Sequence, residues 1–88
     1  MNSFIVYILK TRNNHYYNGS TNYLERRIRE HNLGKTKSLK NLLPIELVFF
    51  QSYSSLKLAR KVEIKLKKFK NRDIIEKIIS DKVIKLTV

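Results

Sequence analysis

Two rhythms of apolar residues run along this chain. Phe4-Ile5-Val6-Tyr7-Ile8-Leu9 is an unbroken run of β-branched and aromatic residues, which predicts a strand covered on both faces. Thr11 to Asn14 carries turn chemistry, since Asn tolerates a positive φ. His15 to Asn18 then reads as a returning strand, so the two form an antiparallel hairpin. From residue 23 the spacing changes to that of a helix. Leu24, Ile28 and His31 share one stripe over Tyr23 to Asn32. A third apolar run, Leu47-Val48-Phe49-Phe50 within Ile45 to Tyr53, predicts a strand after Pro44. Leu58, Ala59, Val62, Leu66 and Phe69 then form the stripe of a second helix, capped by Ser54 or Ser55 and reaching about Lys70. Asn71 caps a third helix with Ile74, Ile75, Ile78 and Ile79 facing inward. Lys82 to Val88 alternates weakly, as a short edge strand or a frayed end would.

The element order is therefore β-β-α-β-α-α. It predicts an α/β (α+β) domain over residues 1–88, with a small three-stranded antiparallel sheet flanked by helices. Around the first helix the local signals are dense. Tyr17-Asn18-Gly19 reads as the end of the second strand and a tight Gly turn. Asn22 is placed to cap the helix, with Glu25 three residues on as in a capping box, and Gly34 follows its last turn.

Arg27 lies beside the stripe that carries His31. An unpaired charge buried there costs several kcal/mol, on the order of 2–7 for a polar group and more for an ion. A carboxylate, a water-filled cleft or a bound anion must therefore compensate. The bland reading pairs Arg27 with a core carboxylate and makes His31 a satisfied structural histidine. The alternative makes both part of an anion site.

Composition weights that choice. The 88 residues include 19 Lys and Arg against 7 Asp and Glu, for a net charge of +12. Such a field attracts polyanions, nucleic acid first, because neutralised phosphates release their counterions. A Lys-rich compositional bias would give the same count without any function. No cysteine is present, which suits a cytoplasmic location and excludes thiolate metal sites. The run Phe4 to Leu9 is too short to span a membrane, and no helix combines a basic face with a wide aromatic-rich one, so no membrane partner is expected.

The seven acids limit the metal chemistry. Glu25 is assigned to the cap, Glu30 and Glu76 to polar helix faces, Asp73 to a first turn, Glu46 to a strand start and Asp81 to a helix end. Only Glu63 sits at the edge of an apolar stripe. A two-metal site needs a cluster of carboxylates and is not expected. One Mg²⁺ held by a single carboxylate, water and substrate phosphate remains open. Two His without Cys make a poor zinc site. Two glycines make no phosphate loop, and no Ser-His-Asp arrangement follows from the spacing. Tyr7 and Tyr17, paired across a hairpin, would point to the same side. Each is either a core tyrosine with a satisfied hydroxyl or an activator of a nucleophile.

The set Ile5-Val6-Tyr7, Tyr17-Asn18-Gly19, Arg27 ten residues after Tyr17, the string Leu24 to Asn32, Pro44 with Glu46-Leu47-Val48, and Ala59-Arg60 with Glu63 resembles the GIY-YIG nucleases, in particular their small single-domain bacterial members. The resemblance covers about Phe4 to Asn71. It implies a DNA endonuclease of repair or recombination that uses one divalent ion, Mg²⁺ or Mn²⁺. On it, Glu63 would ligate the ion and Arg27 would stabilise charge on the scissile phosphate. Tyr7 and Tyr17 would position and deprotonate the attacking water, and His31 would carry a proton or touch phosphate. Ile5 replaces the Gly of the first motif, Asn18 the Ile of the second, and Ser20 stands where some members carry a lysine. Specificity is then expected from the basic surface, a homodimer or a protein partner. The competing expectation is a non-catalytic nucleic-acid-binding module on the same scaffold. A third reading is a basic structural partner of another protein.

Overall fold

β1 (Phe4–Lys10) is the middle strand of a three-stranded sheet, because its residues are apolar on both sides of the backbone. Val6, Tyr7, Ile8 and Leu9 are all buried. The computed structural model describes residues 4–68 and 71–84. Within them the order is β1, β2 (Tyr16–Thr21), α1 (Leu24–Asn32), β3 (Glu46–Tyr53), α2 (Leu56–Lys68) and α3 (Arg72–Asp81). This is the expected β-β-α-β-α-α order, and both β2 and β3 pair with β1 antiparallel. The sheet order is β2-β1-β3, so β2 and β3 form the edges.

Alternation along β1 sorts the helices onto opposite faces. Val6 and Ile8 point to one face, where Ala59, Val62 and Leu66 of α2 and Ile75 and Ile78 of α3 close over them with Phe49. Tyr7 and Leu9 point to the other, which Leu24 and Ile28 of α1, Leu39 of the following loop, Tyr17 and Ile45 cover. The second and third helices present the expected stripes. Ala59, Val62, Leu66, Ile75 and Ile78 are buried, while Leu58, Ile74 and Ile79 are half-buried. Against β3 the ladder skips Val48, with Ile8 opposite Phe49 and Leu9 opposite Leu47, a bulge that bends the edge strand.

Four expectations need correction or completion. β2 does not end at Asn18 in a glycine turn but continues through Gly19 and Ser20 to Thr21. Gly19 faces Tyr7 in the ladder, and a methyl group there would lie 2.6 Å from the Tyr7 hydroxyl oxygen. The position needs glycine to admit that ring, not to turn the chain. Second, neither Asn22 nor Glu25 caps α1. The N-cap residue is Tyr23, without a side-chain cap, and its amide donates to Thr21 Oγ1 at 3.1 Å. β2 runs to Thr21 and the N-cap falls on Tyr23, so Asn22 lies one residue too early to cap α1. Third, α1 ends as expected in Gly34 at φ 77°. The Gly34 amide donates to the His31 carbonyl and the Lys35 amide to that of Glu30, a Schellman closure. Fourth, no strand forms over residues 82–84. Lys82 ends α3 with φ 58°, and Ile84 is buried with its amide on Gln51 Oε1. The rest of the expected tail, 85–88, and the expected helical residues Phe69 and Lys70 lie outside the described residues. The other two caps are present: Ser55 Oγ accepts from the Leu58 amide and Asn71 Oδ1 from that of Asp73.

Candidate active site

The α1 face of the sheet holds an imidazole sealed from solvent. His31 is 0 % exposed, because it lies on the same stripe as Leu24 and Ile28 and so turns down onto the sheet. Both of its nitrogens are satisfied. Nε2 is 2.8 Å from the Tyr7 hydroxyl, and Nδ1 meets Thr36 Oγ1 from the loop after α1. The rings of Tyr7 and Tyr17 meet it edge-on, with centroids at 5.8 and 5.6 Å. Burial, aided by the nearby Arg27 charge and opposed by Glu30, lowers its pKa below the ordinary value, so the neutral form dominates at pH 7. A neutral imidazole carries one proton, so one hydroxyl donates to it while the other accepts from it.

Tyr7 is 1 % exposed and spans the gap between His31 and Arg27. Burial pushes its hydroxyl up to about 12 despite the Arg27 guanidinium beside it, and the Tyr17 and Glu63 charges push in the same direction as burial. Arg27 also pairs with Glu30 at 3.2 Å and remains about one-third exposed. The bland expectation is therefore half right. His31 is a fully satisfied buried histidine, but the partner of Arg27 is a half-exposed helix neighbour, not a core carboxylate. Tyr17 is half-buried, so it presents the second phenol beside His31 nearer the solvent.

Glu63 comes from α2, on the opposite face. Ser20 lies opposite Val6 in the ladder, and its hydroxyl donates to Glu63 Oε1. Lys67 Nζ donates to Glu63 Oε2 at 2.6 Å. The Glu63 side chain is 18 % exposed. Thus Tyr7, Tyr17, Arg27 and His31 form one contiguous group. Glu63 stands across the β2 edge, close enough for its charge to act on Tyr7 but bonded to Ser20 and Lys67 instead. Among the described residues no three His, Cys, Asp or Glu are grouped to hold a metal. The donor set fits a hard, mostly hydrated cation that takes one carboxylate, and it does not fit a dedicated all-protein cage. Sequence reasoning missed Thr36, which sits in a loop without periodicity. It also missed the Lys67 contact, although the i,i+4 spacing from Glu63 was readable.

A family model described as the GIY-YIG catalytic domain matches residues 3–78. The chain belongs to the GIY-YIG family. It is 38% identical to the UPF0213 protein YazA of Bacillus subtilis over 68 residues, covering 76% of this chain and 69% of that one. It is 37% identical to the UPF0213 protein CPE1444 of Clostridium perfringens over 81 residues, covering 91% and 86%. The solution NMR structure of the UPF0213 protein BH0048 from Bacillus halodurans superposes with a TM-score of 0.60 at 32% identity, over 93% of this chain and 86% of that chain. The GIY-YIG fold is therefore shown, and the family is of nuclease type, which implies endonuclease chemistry on a nucleic-acid substrate. GIY-YIG nucleases generally use divalent metals. No helix among the described residues is long and apolar enough to cross a membrane.

Proposed function

We propose that this GIY-YIG domain is a divalent-metal-dependent endonuclease that hydrolyses DNA phosphodiester bonds, in the cytoplasm and in the service of repair or recombination. The observation that carries this reading is the 2.8 Å contact of the Tyr7 hydroxyl with Nε2 of the neutral His31, with the Arg27 guanidinium beside that hydroxyl and the half-buried Tyr17 ring against the imidazole. In it, Arg27 binds the scissile phosphate and offsets the negative charge that grows on it. Tyr17, a half-buried residue, accepts a hydrogen bond from the attacking water and, entering the step as the phenolate, takes its proton and becomes the neutral phenol. The Tyr7 hydroxyl is sealed and protonated at neutral pH, so it acts from behind. It aims the guanidinium and shares its proton with His31, which can take one because it is uncharged. Glu63 would hold Mg²⁺ or Mn²⁺, which when bound supplies positive charge to the phosphate and lowers the pKa of a coordinated water. The net charge of +12 brings the polyanion in and makes binding salt-dependent. Substrate selection beyond that field belongs to a protein partner or a second copy.

The test is cleavage of branched and flapped DNA with Mg²⁺ by wild type and Glu63→Ala. Cleavage by wild type alone supports the reading. Equal inertness of both across substrates removes it. One observation favours a second reading, a binding module without catalysis: both oxygens of Glu63 are engaged by Ser20 and Lys67. That reading predicts tight, salt-dependent DNA binding that Glu63→Ala leaves unchanged.

A further inference from the structure

The acid that the mechanism needs is already occupied. Glu63 is held on two sides, by the Ser20 hydroxyl of β2 and by the Lys67 ammonium one turn further along α2. The two partners differ in kind. Ser20 is fixed in the sheet and fixes the carboxylate in turn. Lys67 is 52 % exposed on a flexible four-carbon stem and can leave without disturbing the fold. A lysine ammonium is also a strong phosphate donor. Arg60, an exposed cation three residues before Glu63 on α2, is not paired with that carboxylate.

We propose that Lys67 is a positioning residue that couples nucleic-acid binding to cation binding: in the free protein it covers Glu63, and a substrate phosphate draws it away and opens that oxygen to the ion. The inference rests on the reading of Glu63 as the cation ligand. An ordinary i,i+4 pair on a helix surface would give the same distance and no coupling. What distinguishes this pair is the carboxylate. It is mostly buried, clamped from a second element, and close enough to the tyrosine–arginine–histidine group for its charge to reach Tyr7. Removing the cover frees a pre-oriented ligand, whereas removing a neutral bystander frees nothing. Coupling of this sort is reciprocal, so the factor by which DNA tightens cation binding equals the factor by which the cation tightens DNA binding.

The experiment titrates Mn²⁺ into the full chain without nucleic acid and follows free Mn²⁺ by electron paramagnetic resonance. It compares wild type, Lys67→Met, Arg60→Met and Glu63→Gln. Lys67→Met is expected to bind Mn²⁺ about fivefold tighter than wild type, the size of a good partly exposed ion pair. Arg60→Met, which removes a nearby charge but no cover, should stay within about twofold of wild type, because exposed charges are screened. Glu63→Gln should lose the site. The titration is then repeated with a short phosphorothioate DNA duplex, which resists hydrolysis, using Glu63→Gln as the baseline for Mn²⁺ held by DNA itself. Duplex should tighten Mn²⁺ binding in wild type, and that gain should shrink towards one in Lys67→Met. Glu63-dependent binding that is equal in wild type and Lys67→Met overturns the coupling and leaves the metal reading standing. An equal gain from Arg60→Met and Lys67→Met overturns it too, since only local charge would then matter. Absence of Glu63-dependent Mn²⁺ binding in every variant overturns both.

Discussion

The two faces of one strand do different work. On the Val6 and Ile8 side the buried core against two helices is apolar, with Ala59, Val62, Leu66, Ile75 and Ile78 closing over them beside Phe49, and the polar contacts of Ser20 with Glu63 and of Tyr16 with Glu76 lie outside that core. On the Tyr7 and Leu9 side it meets a single helix whose buried side chain is a histidine, flanked by two phenols, a threonine hydroxyl and a guanidinium. The first face stabilises by excluding water, at about 25 cal/mol per Å². The second places polar groups in a low-dielectric setting where they are held only because each has a partner, and no buried side-chain nitrogen or oxygen among the described residues is left without one. A domain of this size can bury a polar group on one face because the buried core of the other is apolar.

Substitutions on each face test that division. The largest effect is expected from Arg27→Ala, which should lower the cleavage rate by about 10³ and leave the melting temperature within a few degrees, as measured on a branched DNA and by thermal unfolding. An equal fall in stability would make Arg27 structural. Next is Ile8→Ala on the opposite face. It should cost about 3 kcal/mol in urea unfolding and reduce activity only through the folded fraction. Tyr7→Phe removes the hydroxyl beside His31 Nε2 and leaves that buried nitrogen without its partner, so a loss of about 1–3 kcal/mol is expected together with weaker cleavage. Gly19→Ala should act through the same ring, because the added methyl collides with the Tyr7 hydroxyl. Its signature is a shift of the His31 ring resonances in NMR while the far-face methyls of Val62 and Ile78 stay in place.

The smallest effect concerns pH. The His31 pKa is lowered on folding, so the unfolded chain takes up the proton first. The stability contributed by the neutral ring is complete above the ordinary histidine value of about 6.5, and it is lost as pH falls from there through the folded-state value. The melting temperature should therefore drop between pH 7 and 5, and by less in His31→Asn. For Tyr7 the sign reverses. Its hydroxyl is raised to about 12, so stability falls as pH climbs from about 10 through that value, and Tyr7→Phe should flatten the alkaline limb.

The elements were legible because each is a local signal repeated several times. The apolar run of β1, the stripes of α2 and α3, the Asn71 and Ser55 caps and the closure at Gly34 all read the same way in sequence and in space. The placing of His31 on the inward stripe of α1 was legible for the same reason, and so was the shared side of Tyr7 and Tyr17. The stretch from Gly19 to Glu25 was misread because two local rules, glycine as a turn and Asn with Glu as a cap, competed with a ladder to β1 that no short window contains. Periodicity fixed which side of each element faces inward, since that depends only on residues within a few turns. Tertiary packing alone decided that Thr36 completes the imidazole, that Ser20 holds Glu63, and that the acid stands across a sheet edge from the other four side chains. Ser20 and Glu63 are 43 residues apart and Thr36 sits in a loop without periodicity, and a one-dimensional pattern carries no distance across space.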